Sequence, residues 1–146
     1  MARPRARTDQ RAYDITGAEI PAVFAGVIPQ PIAVYYVTYL LVAANPIHHL
    51  YDATSGIFRA PYASRVRTLF GSNVTEQDLM AALPQTLDEL LTPRGMALVR
   101  DAHGPLAKAL RAADHVCSWS PRTPVRLYFV SDDEQVTADN VAPCRA

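Results

Sequence analysis

The residues best suited to chemistry are the carboxylates Asp132, Asp133 and Glu134, which directly follow the run Leu127-Tyr128-Phe129-Val130-Ser131. A carboxylate just past the carboxyl end of a buried strand stands where open α/β folds place functional groups. There it can orient a histidine and stabilise the imidazolium that forms during nucleophilic catalysis. The plainer reading of the same three residues is a solvated turn with helix-capping value. Spacing alone favours the plainer one.

Other candidates are fewer. His48 and His49 are adjacent, so on a helix their side chains diverge by about 100° and cannot share a metal as an i, i+4 pair would. Asp101-Ala102-His103 has the form of a small dyad, yet no nucleophile stands beside it, and a helix-end pair is the simpler account. Cys117 and Cys144 have no C-x-x-C spacing. Two unpaired thiols are expected, with a single disulfide the alternative in an exported protein. Tyr35, Tyr36 and Tyr39 form an aromatic patch, read equally well as ordinary core or as the lining of an apolar pocket.

Those side chains are carried by a predominantly helical pattern. Pro31 suits the first turn of a helix, where its missing N–H costs nothing. That helix is expected to end near Ala44, because Pro46 disfavours the α conformation at Asn45. It is apolar nearly all round, which calls for cover on most sides or a greasy pocket. A further helical turn is expected over Ile47–Tyr51 and a short helix over Pro61–Phe70, stopped by Gly71. Thr75 with Asp78 resembles a capping box for a helix reaching Leu83. Thr92-Pro93 starts another towards Arg100, and Leu106–Ala113 adds an amphipathic segment. Then Pro124–Val130 reads as a buried strand, and Thr137 as the cap of a helix beginning at Ala138. A single strand needs a partner for its backbone groups, which implies an incomplete chain.

The whole is 146 residues and 16.0 kDa, 49% apolar and 19% charged, with Lys+Arg and Asp+Glu at 14 each. Such a chain fits one domain, and its composition excludes intrinsic disorder along most of its length. Zero net charge excludes a dedicated nucleic-acid binder. Arg3, Arg5, Arg7 and Arg11 lie in an arm expected to be disordered. Acidic residues follow that arm where a signal peptide would place its apolar run, so cytoplasmic location is the default. The uncharged stretch Pro21–Ile47 contains an apolar core, Ile32–Ala44, too short for the ~20 residues a membrane span needs.

Trp119-Ser120-Pro121, Pro124-Val125, Leu127-Tyr128 and Asp133-Glu134-Gln135-Val136 with Asn140 resemble the late-strand segment of α/β-hydrolases. The likeness is to a bacterial esterase/lipase-like or prolyl-oligopeptidase-like branch with the pattern W-x-P-x-x-P-x-x-L-Y-H-G-x-x-D-x-x-V. Its Asp, the acid of a Ser–Asp–His triad, falls on Asp133, while Phe129-Val130 replaces the usual His-Gly. Ala12–Thr16 resembles a segment following the nucleophile, and Pro31–Leu50 with Ile57–Tyr62 resembles a helical cap. No G-x-S-x-G is present, and His48, His49, His103 and His115 all precede Asp133, against the family order Ser, Asp, His.

The resemblance therefore implies an α/β fold, as a partial α/β-hydrolase that is mostly cap-like helix with one late sheet strand. Its divisions are residues 1–16 as arm and core remnant, 17–116 as helical cap, and 117–146 as strand, acid turn and helix start. The complete enzyme would hydrolyse small carboxylic esters without cofactor or metal. Asp133 would be the triad acid, and Tyr35, Tyr36 and Tyr39 would line the acyl site. The present chain would show at most trace activity and would self-associate through exposed apolar surface. The rival is a non-enzymatic helical module that uses Pro21–Leu50 to bind a partner or a membrane surface.

Overall fold

The computed structural model describes residues 14–70, 73–114, 122–124, 126, 128, 133 and 135–140. Asp14 caps a π-helical turn, Ile15–Glu19, by accepting the Gly17 amide at 2.8 Å. The turn runs directly into α1, Ile20–Phe24. After a loop at Ala25–Pro29 comes α2, Gln30–His48, with a proline in its first turn as expected. The shorter helices α3 (Val66–Leu69), α4 (Glu76–Ala82), α5 (Leu87–Leu90), α6 (Pro93–Arg100) and α7 (Pro105–Asp114) follow.

Helix α2 is the spine, touched by α3, α4, α5 and α7. Its Ala33, Val34, Val37, Thr38, Leu41 and Asn45 are buried, a stripe at helical spacing. Removing each large aliphatic side chain of that stripe from water contributes roughly 1.5–3 kcal/mol. Ile57, Phe58, Leu87, Leu90, Leu91, Val99 and Leu106 complete the core around it.

Helix α2 passes the expected stop at Ala44 and includes Pro46. A proline this close to a helix end sacrifices one N–H bond, and the end is secured in other ways. The His49 amide donates to the Asn45 carbonyl at 2.9 Å, and His49 itself takes the left-handed conformation, φ 49 and ψ 49. The buried Asn45 Oδ1 then accepts the Tyr51 amide at 2.8 Å. The turn expected over Ile47–Tyr51 is thus divided, Ile47 and His48 belonging to α2 and the chain leaving the helix at His49.

The capping signals are realised. Thr75 Oγ1 accepts from Asp78 N at 3.1 Å and Thr92 Oγ1 from Gly95 N at 3.1 Å. The Pro61–Phe70 helix forms as a 3-10 turn, Tyr62–Ser64, and α3, separated by Arg65 at φ −123. Residues 138–140 make a 3-10 turn after Thr137.

The α/β expectation does not hold. Among the described residues there is no strand or sheet, and extended pairing is confined to the antiparallel bridge between Phe58 and Leu91. Of the expected strand Pro124–Val130, the residues Pro124, Arg126 and Tyr128 are described, are exposed and belong to no strand. Val125, Leu127, Phe129 and Val130 lie outside the described residues. The physical reason is pairing: β-branched and aromatic residues favour extended backbone, but a strand persists only where neighbouring backbone meets its N–H and C=O groups. Among the described residues, backbone pairing lies mostly within helices.

Candidate functional site

Asp133 lies partly buried beside the amino-terminal turn, and its carboxylate is occupied locally. Oδ1 accepts the Gln135 amide at 2.8 Å and the Val136 amide at 3.1 Å. This is capped-turn geometry. His48, His49 and His103 are exposed, on the end of α2 and in the turn before α7. His115, Cys117, Asp132, Glu134, Cys144 and the Arg3–Arg11 arm lie outside the described residues.

The three tyrosines divide between two neighbourhoods. Tyr35 and Tyr39 gather around Phe70, with ring centroids 6.5 and 5.8 Å away. Tyr36 meets Tyr35 edge-on at 5.0 Å and turns its hydroxyl to the carboxyl-terminal segment, donating to Gln135 Oε1 at 2.9 Å. Tyr36 and Asp133, picked out separately in the sequence, are thereby brought to one place.

That place is organised by residues the sequence reading left unassigned. Glu19 ends the π turn, is only 9% exposed, and its Oε1 accepts both the amide and the hydroxyl of Thr137 at 3.1 Å. Burial raises its pKa, the nearby charge of Asp133 adds to the rise, and the Thr137 and Asn140 groups oppose it. Tyr36 is also raised, first by burial and then by Tyr35, Glu76, Asp133 and Glu19. Asn140, fully buried, accepts the Asp14 amide through Oδ1, while its Nδ2 lies near Glu19 without completing a hydrogen bond.

A second carboxylate fastens the same turn from α7. Asp114 accepts from Ile15 N at 2.7 Å, from Thr16 N at 3.3 Å and from the Thr16 hydroxyl. A signal for Glu19 was present in the sequence: Ile15, Glu19 and Val23 recur at spacing four, so the acid occupies an apolar stripe and had to be buried. No comparable signal marks Asp114 or Asn140, whose partners lie about a hundred residues away.

No family model, curated protein or solved structure matches the chain. The α/β-hydrolase resemblance accordingly rests on the quoted residues alone. Among the described residues no group of three or more His, Cys, Asp or Glu side chains is placed to hold a metal ion. No described helix is long and apolar enough to cross a membrane.

The other unusual surface is the outer side of α2. Tyr39, Ala43, Pro46 and Ile47 are exposed, and they lie opposite the buried stripe of Val34, Val37, Leu41 and Asn45. Tyr39 is 50% exposed and Ile47 73%. From Ile20 to Tyr51 there is no Asp, Glu, Lys or Arg, so this solvent-facing side carries none of the charge usual on a surface helix.

Proposed function

We propose that the chain is a non-enzymatic helical interaction module whose outer α2 face docks against a second copy of itself. The single observation behind this reading is that α2 is apolar on both sides: one side forms the core, and the other, Tyr39, Ala43, Pro46 and Ile47, faces out without charge. A helix built to lie on a bilayer carries Lys or Arg on its polar side. Helix α2 has neither, which favours a protein surface. A second copy suits the charge pattern, because a charge-free face meets itself without like-charge opposition and the chain as a whole is neutral. Covering the exposed part of Ile47 on both copies would supply at most roughly 1.5–3 kcal/mol per side chain, and the half-buried Tyr39 less, before the cost of association.

Sedimentation velocity across a concentration series tests the reading. The native chain should sediment as a dimer, and Tyr39→Glu with Ile47→Glu should sediment as a monomer of unchanged helicity. A monomer at every concentration, or equal association of the double variant, overturns it. A monomer that co-sediments with phosphatidylcholine vesicles would replace the second copy by a membrane surface. Turnover of a p-nitrophenyl acyl ester that is lost in Asp133→Ala would instead support the acyl-hydrolase reading.

A further inference from the structure

The outer side of α2 is not uniform along its length. At one end Tyr39 stands beside Phe70, and Tyr35 approaches the same ring, with centroids 5.8 and 6.5 Å from it. Tyr39 is half-exposed, while Tyr35 and Phe70 are partly buried. At the other end the exposed residues are aliphatic, Pro46 and Ile47. Between them lies Ala43, whose single methyl is also exposed. Tyr39, Ala43 and Ile47 recur at spacing four, so they share one side of the helix in the order aromatic, small, aliphatic.

Two copies meeting through this side form a self-complementary pair, in which residue i of one touches residue j of the other and j touches i. A two-fold axis opposite Ala43 puts the smallest side chain at the crossing, where side-chain size sets how closely two helix axes approach. Parallel helices would set Tyr39 against Tyr39 and Ile47 against Ile47. They would also crowd the exposed His48 and His49 of both copies beside the apolar seam. Antiparallel helices set each Ile47 against the other copy's Tyr39 and its aromatic neighbours. They hold the two copies of His48 about 15 Å apart, the rise of about ten helical residues, and bring opposite helix ends side by side.

We infer, on the basis of the self-association proposed above, that the two α2 helices pair antiparallel about Ala43, and that the patch of Tyr35, Tyr39 and Phe70 is the receiving site for Pro46 and Ile47 of a second copy. Each aliphatic end is then covered by an aromatic one, and symmetry makes the contact twice.

Isotope-filtered nuclear Overhauser spectroscopy reads the orientation in the native chain, using an equal mixture of copies carbon-13-labelled at isoleucine methyls and unlabelled copies. Within one copy Tyr39 and Ile47 are about 12 Å apart along α2, too far for such a contact. A signal from the Ile47 methyls of labelled copies to the Tyr39 ring of unlabelled ones is the expected result. A signal between Ile47 of one copy and Ile47 of the other overturns the antiparallel register while leaving self-association in place. A dimer that shows neither signal overturns docking through α2 altogether. Sedimentation of the same sample identifies the remaining case, since a monomer overturns the pairing itself and the orientation with it.

Charge placement gives a second readout. Tyr39→Lys with Ile47→Glu puts opposite charges at both antiparallel contacts, whereas in a parallel pair it sets like against like. In low salt this variant should associate at least about tenfold more tightly than Tyr39→Glu with Ile47→Glu, and the advantage should fade as salt is raised. Equal association of the two variants, at native helicity, overturns the register.

Discussion

Glu19 and Thr137 stand 118 positions apart in the chain, and one oxygen of Glu19 receives both the amide and the hydroxyl of Thr137 at 3.1 Å. Two ends of the molecule are joined there through a carboxylate that burial disfavours in its charged form. Its contribution to global stability is fully present below the ordinary carboxylate value and falls as pH rises through the raised one. Urea denaturation should therefore find Glu19→Gln more stable than the native chain at neutral pH, with the advantage shrinking on acidification. An advantage that grows in acid would contradict the burial argument.

Asp114 should be among the costliest single side chains to remove. Its carboxylate takes the amides of Ile15 and Thr16 and the Thr16 hydroxyl. Asp114→Ala leaves those half-buried donors without their partner, a loss of about 2 kcal/mol. Its position in the last turn of α7 opposes the helix dipole by only about 0.3–1 kcal/mol, so relief of that term does not compensate. Chemical denaturation of the variant measures the difference.

Gly95 is a position where helix propensity points the wrong way. Alanine is favoured over glycine inside a helix by about 1 kcal/mol, yet a Cβ at Gly95 would stand 2.3 Å from the Ile57 carbonyl oxygen. That backbone is held in place, since Ile57 O accepts the Thr92 amide at 2.8 Å and Gly56 O the Thr92 hydroxyl at 2.7 Å. Gly95→Ala is expected to destabilise by about 1–3 kcal/mol as α6 moves outward. A raised melting temperature in the variant would count against the close approach.

Asp133→Asn separates the turn role of this residue from its charge. The amide oxygen can still accept from Gln135 and Val136, so stability should change by less than about 1 kcal/mol. Because the Asp133 charge raises both Glu19 and Tyr36, both should titrate lower in the variant. Residue-resolved NMR titration gives the two shifts, and an unchanged titration of either would show that the charge is not felt there.

Asn45 replaces the stop that Pro46 alone does not impose. Asn45→Ala removes the acceptor of the buried Tyr51 amide, at a cost of about 1–3 kcal/mol. Exchange of the Tyr51 amide should accelerate more than that of Leu41, localising the damage to the exit of α2.

Local signals carried over into structure where their physics is local. Thr75, Thr92, Pro31 and Pro93 act within one turn of themselves, and the helices they start are present. The same logic misplaced the end of α2, because Asn45 needs a partner six residues away and outside the helix to close it. It also overvalued Pro124–Val130, whose strand character depends on a neighbour that no local pattern supplies. At the site, Tyr36 and Asp133 were legible as residue types, but their juxtaposition was not; Asp114 gave no signal, and Asn140 entered only through the hydrolase resemblance.

What the sequence by itself determined is the helical character of residues 20–114, the apolar and charge-free nature of α2, and the chemistry available at Glu19, Tyr36 and Asp133. Only the tertiary structure decided which side of α2 is core and which faces water, and that Asp133 Oδ1 caps the turn at Gln135 and Val136. It also decided that Glu19 is a buried acid held by Thr137 from the far part of the chain. Caps and periodicity act over three or four residues, whereas burial and charge pairing depend on what the rest of the chain brings alongside.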